Sequence, residues 1–316
     1  MLPRAGRAAQ SGGMPLTSLS WPHALLAIAI TAVWGTNFVV IRLGLDDLPP
    51  LLFATLRFSL AFLPAALFIR RPDVPWRRLA AYGILIGAGQ FGLLFIAMKG
   101  DISPGLASLV VQSQVFFTIA LSMRATGEKV QPVQWFAVAL AASGVALIAA
   151  RADSDATPLG LALVLLAALS WAGGNTVARA NSKANMLAYV VWSSVFAVPP
   201  LLALSLIFEG PGAIAAGVAN ADAVTWSVVL WQSVGNSLFG YAAWGWLLAR
   251  YPAATVAPMS LLVPVFGMAA SAWWLGEDLP LWKLAAGGLI LAGLAINILW
   301  TRISAMRAAG RTPMAG

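Results

Sequence analysis

Uncharged polar side chains interrupt the long apolar segments of this chain, and amides and indoles predominate among them. Trp34 and Asn37 lie in one segment, and Trp171 and Asn175 repeat nearly the same spacing later. Such groups offer hydrogen bonds and aromatic surface without charge, so they suit a small ligand that is neutral overall. The candidates for lining a binding cavity are Trp34, Asn37, Gln90, Gln112, Gln114, Trp171, Asn175, Asn236 and Tyr241.

Each candidate also has a purely structural interpretation. Asn and Gln in an apolar helix often bond a neighbouring helix, and Trp commonly lies at a membrane interface. The recurrence of the Trp–Asn pair in both halves of the chain favours a cavity, although a shared packing role would give the same pattern.

Arg57 is the one charged residue well inside an apolar segment. It is either a structural arginine, satisfied by backbone carbonyls or reaching the outer surface, or a group that holds a ligand carboxylate. We favour the structural role, because a charge in an apolar layer needs a partner even when no ligand is bound.

Catalytic and metal chemistry lack the residues that they require. The chain has no cysteine, and its single histidine, His23, lies at the start of the first apolar segment. Neither a nucleophile with its base nor a metal-ligand cluster can be assembled from what remains. We therefore expect no catalytic residues, no metal, no cofactor and no enzymatic activity.

The composition predicts an all-α integral membrane protein. Sixty per cent of the residues are hydrophobic and nine per cent are charged, whereas soluble domains are about one quarter charged. The net charge of +8 is scattered at segment ends, as in membrane-flanking positions and unlike a nucleic-acid-binding patch. With a window of about 20 apolar residues, we predict about ten transmembrane helices: 22–42, 50–69, 77–98, 104–124, 131–150, 158–178, 186–208, 225–249, 253–275 and 281–301.

Two connections carry further expectations. The Gly- and Ala-rich stretch from Glu209 to Asp222 is compatible with a short helix lying on the membrane. Residues from Ala305 onward are expected to form a basic, disordered tail. Most basic residues fall on one side when the spans alternate, so the positive-inside rule predicts that both termini are cytoplasmic.

The second half of the chain repeats the first. Gly127-Glu128 and Gly276-Glu277 are related by 277 − 128 = 149, Gly144 and Gly293 by 293 − 144 = 149, and Pro104 and Pro252 by 148. Such self-similarity indicates a duplication. We expect a cytoplasmic tail at 1–21, five-helix repeats at 22–150 and 151–301, and a cytoplasmic basic tail at 302–316. Five spans is an odd number, so the two repeats would be inverted, an arrangement typical of transporters.

Four motifs give the chain a resemblance to a known family. They are W-G-T-N at Trp34–Asn37, L-R-F at Leu56–Phe58, S-P-G-L-A-S-L-V from Ser103 with Gly127-Glu128 behind it, and Y-P-A-A-T-V-A-P-M-S-L-L-V-P-V from Tyr251 with Gly276-Glu277 behind it. In this order and duplicated, they resemble the drug/metabolite transporter superfamily, and within it the EamA-type amino-acid and metabolite exporters of bacterial inner membranes.

This resemblance implies export of amino acids, aromatic ones in some members, from a cavity between the halves. It implies that the nine candidate residues line that cavity. No predicted span contains Asp or Glu. The chain therefore lacks the intramembrane carboxylate that would bind an organic cation or relay a proton.

Alternatives remain open at this point. They are a broad-specificity metabolite or drug exporter of the same fold and a purely structural membrane protein. The coupling ion is also open, and uncoupled facilitation is one option. The expected partners are the small-molecule substrate and the bilayer, with the protein a monomer or a weak dimer.

Overall fold

The computed structural model describes residues 20–126, 131–151, 155–181, 184–251 and 256–309, and helices joined by short connections make up most of this part of the chain. A proline stands at or next to the first residue of many helices, where its missing N–H costs nothing. The helices are α1 (Trp21–Asp47), α2 (Pro50–Phe62), α3 (Ala65–Phe68), α4 (Trp76–Gly100), α5 (Pro104–Val110), α6 (Gln114–Thr126), α7 (Pro132–Ala150), α8 (Pro158–Arg179), α9 (Met186–Phe208), α10 (Gly210–Asn220), α11 (223–250), α12 (Leu262–Leu275) and α13 (Leu281–Ala309).

Over its described residues each predicted span is largely helical, but the count of ten is not confirmed. Eight helices in the described ranges are long and apolar enough to cross a membrane, or nine if the bent pair α10–α11 forms one span. The predicted ninth span, 253–275, starts outside the described residues, and its described part, Met259–Leu275, is shorter than the others.

Two details refine the predicted connections. The stretch after Glu209 contains α10, which meets α11 at an angle of 104°, so the expected short helix is present. The last helix continues to Ala309, past the predicted end at residue 301, which corrects the expectation of a disordered tail for that part. Residues 303–309 include neither Gly nor Pro, so nothing in the sequence stops the helix before Gly310.

Equivalent spans are broken in equivalent ways. The third span, α4, contains a π-helical segment at Leu85–Gly92, and the eighth, α11, contains one at Trp231–Phe239. The fourth span has a 3₁₀ turn, Val111–Ser113, between α5 and α6, and the ninth has one, Ala257–Leu261, before α12. Both kinds of break re-aim side chains and are frequent at functional sites.

Helix pairing shows that the halves are related by a two-fold axis. Helix α1 packs on α12, and its counterpart α8 packs on α6. Helix α2 packs on its own counterpart α9, and α7 on its own counterpart α13. Reciprocal and self-paired contacts of this kind are the signature of two-fold symmetry.

The α7–α13 contact gives the direction of that axis. A Cβ atom on Gly144 would lie 2.7 Å from the Ala286 carbonyl oxygen, and one on Gly293 would lie 2.5 Å from the Ala137 carbonyl oxygen. Since 286 − 137 = 149 and 293 − 144 = 149, the same contact is made twice. The two helices run antiparallel, so the axis lies across the helices and the halves are inverted.

Glycine is required at this crossing. We expect Gly144→Val to lower the melting temperature of the purified protein markedly, because forcing a side chain into a backbone contact costs about 1–3 kcal/mol or more. Thermal unfolding in detergent measures the effect. Gly288→Val is the matched control, since a Cβ on Gly288 meets nothing within 4 Å; equal melting temperatures for the two variants would contradict the assignment.

The two ends of the bundle differ in charge. One end, called the acidic end here, carries Asp47, Asp101, Asp155, Glu209, Asp222 and Glu277. The opposite or basic end carries Arg70, Arg71, Arg77, Arg78, Arg124, Arg179 and Arg250. Gly127 and Glu128, which the repeat pairs with Gly276 and Glu277, lie outside the described residues.

Candidate functional site

Predicted site residues from the two halves meet at the contact surface between the repeats, which is called the seam here. The Trp34 indole on α1 donates through Nε1 to the backbone oxygen of Asn236 on α11, at 3.4 Å. Its ring centroid lies 5.7 Å from that of Tyr241 and 5.3 Å from that of Trp244. This group, the aromatic cluster of Trp34, Tyr241 and Trp244, brings three rings together where the two repeats meet.

A second contact between predicted site residues of the two halves joins α6 and α8. Asn175 Nδ2 donates to Gln114 Oε1 at 3.0 Å, and the Thr118 hydroxyl donates to the same oxygen at 3.3 Å. Asn175 and Gln114 are called the amide pair here. Both amides and Thr118 are partly exposed.

Gln112 is buried beside the broken ninth span. Its Nε2 donates to the backbone oxygen of Ser260 at 3.3 Å. Ser260 lies in the 3₁₀ turn Ala257–Leu261, near Pro258 and Pro264. The carbonyl that accepts this bond therefore lies where a proline-interrupted helix frees backbone groups.

Asn37 and Gln90 are buried with an acceptor left unsatisfied. They are 4% and 3% exposed, and neither Asn37 Oδ1 nor Gln90 Oε1 has a hydrogen-bond partner. Gln232, in the π segment of α11, has no partner for either side-chain atom. A buried amide without a partner is costly, so these three groups are suited to binding water or a ligand.

The sequence-equivalent indoles have different surroundings. Trp34 and Trp171 are both half-buried against the main core, but of the two only Trp34 makes ring contacts within the described residues. The match between the two Trp–Asn pairs thus extends to position within the fold but not to their neighbours.

The Arg57 guanidinium has a partner different from the expected carbonyls. Its Nη2 and Nε donate to the Ser237 hydroxyl at 3.1 Å and 3.4 Å, and its Cζ lies 3.6 Å from the centroid of the Phe91 ring. The side chain is completely buried. Arg57 therefore links α2 to α4 and α11 within the core instead of reaching the outer surface.

Exposure changes sharply along the fourth span. Residues 104–112 are all buried, whereas residues 113–119 are all partly exposed. Residues 175–178 on α8 and 241–245 on α11 are also partly exposed, and both stretches lie toward the basic end. Side chains on these helices are therefore more deeply buried toward the acidic end than toward the basic end.

Carboxylates join the halves at the acidic end. Glu277, after α12, accepts from the Ser103 hydroxyl at 2.5 Å and from the Gly105 N–H at 3.0 Å. Glu209, after α9, accepts from the Leu51 and Leu52 N–H groups at 2.6 Å and 3.0 Å. Each carboxylate thus caps the first turn of a helix from the other half, where the helix dipole favours negative charge.

A third cross-half contact lies nearby. The Thr225 hydroxyl donates to Asp47, and the Thr225 N–H donates to Asp222 at 2.9 Å. That backbone hydrogen bond lowers the pKa of Asp222. Together the three contacts hold α1 to α11, α2 to α9 and α5 to α12 at one end of the molecule.

The acidic end also holds an open cleft of about 400 Å³. Its wall carries both signs of charge, contributed by Arg42, Asp46, Lys99, Asp155 and Glu277. The Arg42–Asp46 pair is exposed. None of the predicted site residues is part of the lining of this cleft.

Several residues of these contacts were not among the predicted site residues. Tyr82, Phe91 and Ser237 surround Arg57, and Glu209 joins the halves. Ser237 could have been included from the sequence, since it follows Asn236, but the direction of its side chain depends on the π segment. The other three depend on which helices become neighbours.

An all-helical bundle with inverted, two-fold-related halves and a polar seam between them defines a class of protein, the membrane transporter. The comparisons with known proteins agree. The sequence matches the EamA-like transporter family over residues 21–150 and 158–299, so the chain belongs to that family.

Named relatives and a solved structure support the assignment. The chain is 42% identical to a "Probable amino-acid metabolite efflux pump" of Salmonella typhimurium over 90% of this chain and 97% of that protein. It is 38% identical to a protein of the same description from Escherichia coli, with the same coverage of both chains. A crystal structure with 17% identity aligns over 89% of this chain and 99% of the other with a TM-score of 0.61, which shows the fold alone.

Proposed function

We propose that this transporter exports neutral amino acids, aromatic ones among them, across the inner membrane by alternating access. The seam carries the proposal: the aromatic cluster and the amide pair each bring together side chains from both halves. Amides bind the polar groups of an amino acid, and the indole and phenol rings pack against an apolar side chain. The efflux-pump relatives support the substrate class.

The asymmetry of the seam supports the transport cycle. With the basic residues placed inside by the positive-inside rule, the less deeply buried half of the bundle faces the cytoplasm and the carboxylate contacts close the outer side. Inverted halves can exchange conformations, which would open the acidic end and close the basic end. In this scheme both termini are cytoplasmic, and helices α4 to α6 and their counterparts α11 and α12 move.

A broad-specificity metabolite or drug exporter is the second candidate. The aromatic cluster favours it, because three rings accept flat apolar surface without requiring an α-amino and α-carboxylate pair. Such an exporter would use the same seam and the same cycle, and would differ only in its substrates.

Uptake into liposomes tests the proposal. We expect purified protein to give saturable uptake of radiolabelled threonine, methionine or phenylalanine, measured with and without a pH gradient. Independence from the gradient would indicate facilitation, since the spans carry no carboxylate relay. Absence of amino-acid uptake under both conditions would reject the substrate class and place the broad-specificity exporter first.

Removing the Trp34 indole should abolish most of this uptake. We expect Trp34→Ala to lower the initial rate about tenfold or more, because the variant loses both the ring surface and the Nε1 donor. The matched control is Trp135→Ala on α7, whose indole is 61% exposed and lies away from the seam. Equal losses in the two variants would mean that Trp34 acts only through general stability.

A further inference from the structure

Gly240 lies inside helix α11, directly after the π-helical segment, at a position where the backbone does not require glycine. Its φ of −57° and ψ of −51° are those of a right-handed helix, which residues with a side chain adopt readily. Glycine inside a helix is less favourable than alanine, because its backbone loses more conformational freedom on folding. The reason for glycine at this position therefore lies in the space beside it.

The Trp34 indole fills that space. A Cβ atom on Gly240 would lie less than 3.0 Å from Trp34 Nε1, 3.1 Å from its Cε2 and 3.3 Å from its Cδ1. Atoms without a bond between them pack at about 3.5–4.0 Å, so the indole would have to move by about 1 Å to admit even a methyl group. Gly240 is buried, and Trp34 is the side chain that a substitution there would displace first.

The contacts of the aromatic cluster depend on this close approach. Trp34 Nε1 donates to the backbone oxygen of Asn236, one turn before Gly240, at 3.4 Å. This distance is near the upper limit for a hydrogen bond, so a shift of about 1 Å away from α11 breaks it. The ring centroids of Tyr241 and Trp244 lie 5.7 Å and 5.3 Å from that of Trp34, within the range in which aromatic rings attract each other. The position of the indole therefore fixes the shape of the cluster.

We propose that Gly240 is a positioning residue that sets the side-chain selectivity of transport. Because it carries no side chain, the Trp34 indole lies against α11, and the three partly exposed rings leave room for a large apolar side chain of the substrate. A side chain at position 240 would push the indole away from α11 and into that room. This inference rests on the proposed function, since it places the substrate against the aromatic cluster.

Uptake of two amino acids of different size tests the selectivity. We expect Gly240→Ala to lower the ratio of phenylalanine uptake to threonine uptake about fivefold, because the larger side chain loses more contact with the rings. The half-saturating concentration of phenylalanine should change more than the maximal rate, since the lost contacts bind the substrate before it moves. Gly288→Ala is the matched control and should leave the ratio unchanged, because a Cβ there meets nothing within 4 Å. Equal losses for both amino acids would contradict the proposal.

A second substitution shows whether the effect passes through Trp34. In a Trp34→Ala background no indole remains to be displaced, so adding Gly240→Ala should leave the residual uptake ratio unchanged. A further fall of similar size in the double variant would mean that Gly240 acts on another group, and the proposal would be wrong.

Thermal unfolding in detergent tests the positioning without any transport. Gly240→Ala should lower the melting temperature of the wild type, because its methyl group is forced against the indole. The same substitution should raise the melting temperature of Trp34→Ala, where the helix-favouring effect of alanine remains and the indole is gone. Changes of the same sign in both backgrounds would overturn the role of Gly240. Should Gly240→Ala fail to fold, the double variant is still expected to fold, and its failure would overturn the proposal as well.

The two kinds of measurement separate this inference from the proposed function. A wild type that takes up neither phenylalanine nor threonine rejects the proposed substrates, while opposite changes in melting temperature still assign Gly240 to the positioning of Trp34. A wild type that takes up both, with a ratio that Gly240→Ala does not alter, keeps the proposed function and overturns the selectivity.

Discussion

Glu277→Gln is expected to raise thiol labelling of a cysteine at position 108 about tenfold or more. The chain contains no cysteine, so Ser108→Cys provides a single labelling site. Ser108 is completely buried on α5, where it packs against Gly267 of α12. Its exposure to a water-soluble maleimide therefore reports separation of α5 from α12 at the acidic end.

The expected size follows from the contacts of Glu277. Its carboxylate accepts from Ser103, Gly105 and Lys283, and the Lys283 Nζ also lies 2.9 Å from Asp155. The Lys283 side chain is 0% exposed. The hydrogen bonds from Ser103 and Gly105 are the ones that cross between the halves, and a hydrogen bond to a charged group contributes about 1.5–3 kcal/mol. A tenfold change in an equilibrium needs only about 1.4 kcal/mol. Loss of the negative charge that accepts these two bonds can therefore shift the population from closed to open at this end.

The control uses a charge pair at the same end. Asp46→Asn breaks the exposed Arg42–Asp46 pair, and exposed pairs contribute about 0–1 kcal/mol. Labelling should stay at the wild-type rate in that variant. Melting temperatures of all variants separate gate opening from global unfolding. If Glu277→Gln labels at the wild-type rate while remaining folded, the carboxylate contacts do not close the acidic end.

The repeat is the feature that the sequence predicted in most detail. The spacing of 149 between Gly144 and Gly293 recurs as a mutual backbone contact between α7 and α13. This was predictable because duplicated halves retain their register, and small residues at a helix crossing are required by close approach. The positions of the spans followed equally from the length of apolar segments.

The surroundings of individual side chains were not predictable from local pattern. The π segments at Leu85–Gly92 and Trp231–Phe239 have no sequence signature, and they decide where Gln90 and Asn236 lie. The role of Glu209 depends on α9 ending beside the start of α2, a contact between residues 158 positions apart. Amides and carboxylates were visible in the sequence, but their partners come from tertiary packing.

Substitutions in the amide pair distinguish a role in transport from a role in helix packing. We expect Asn175→Leu to lower amino-acid uptake about tenfold or more, which is the scale for losing a ligand-binding amide. Gln114→Leu should have a similar effect. The two side chains share one hydrogen bond of 3.0 Å, so the double variant should lose little more than either single variant. Initial rates in liposomes measure the three losses.

Stability measured on the same samples decides between the two roles. Interhelical hydrogen bonds in membranes contribute about 0.6 kcal/mol on average, so leucine at either position changes the melting temperature only slightly whichever role holds. Asn220→Leu, at the exposed end of α10, is the matched amide control and should leave uptake intact. Uptake that survives Asn175→Leu and Gln114→Leu, with stability equal or higher, would assign these amides to helix packing. A selective loss of uptake would instead place them against the substrate, because the groups then matter to transport far more than to the fold.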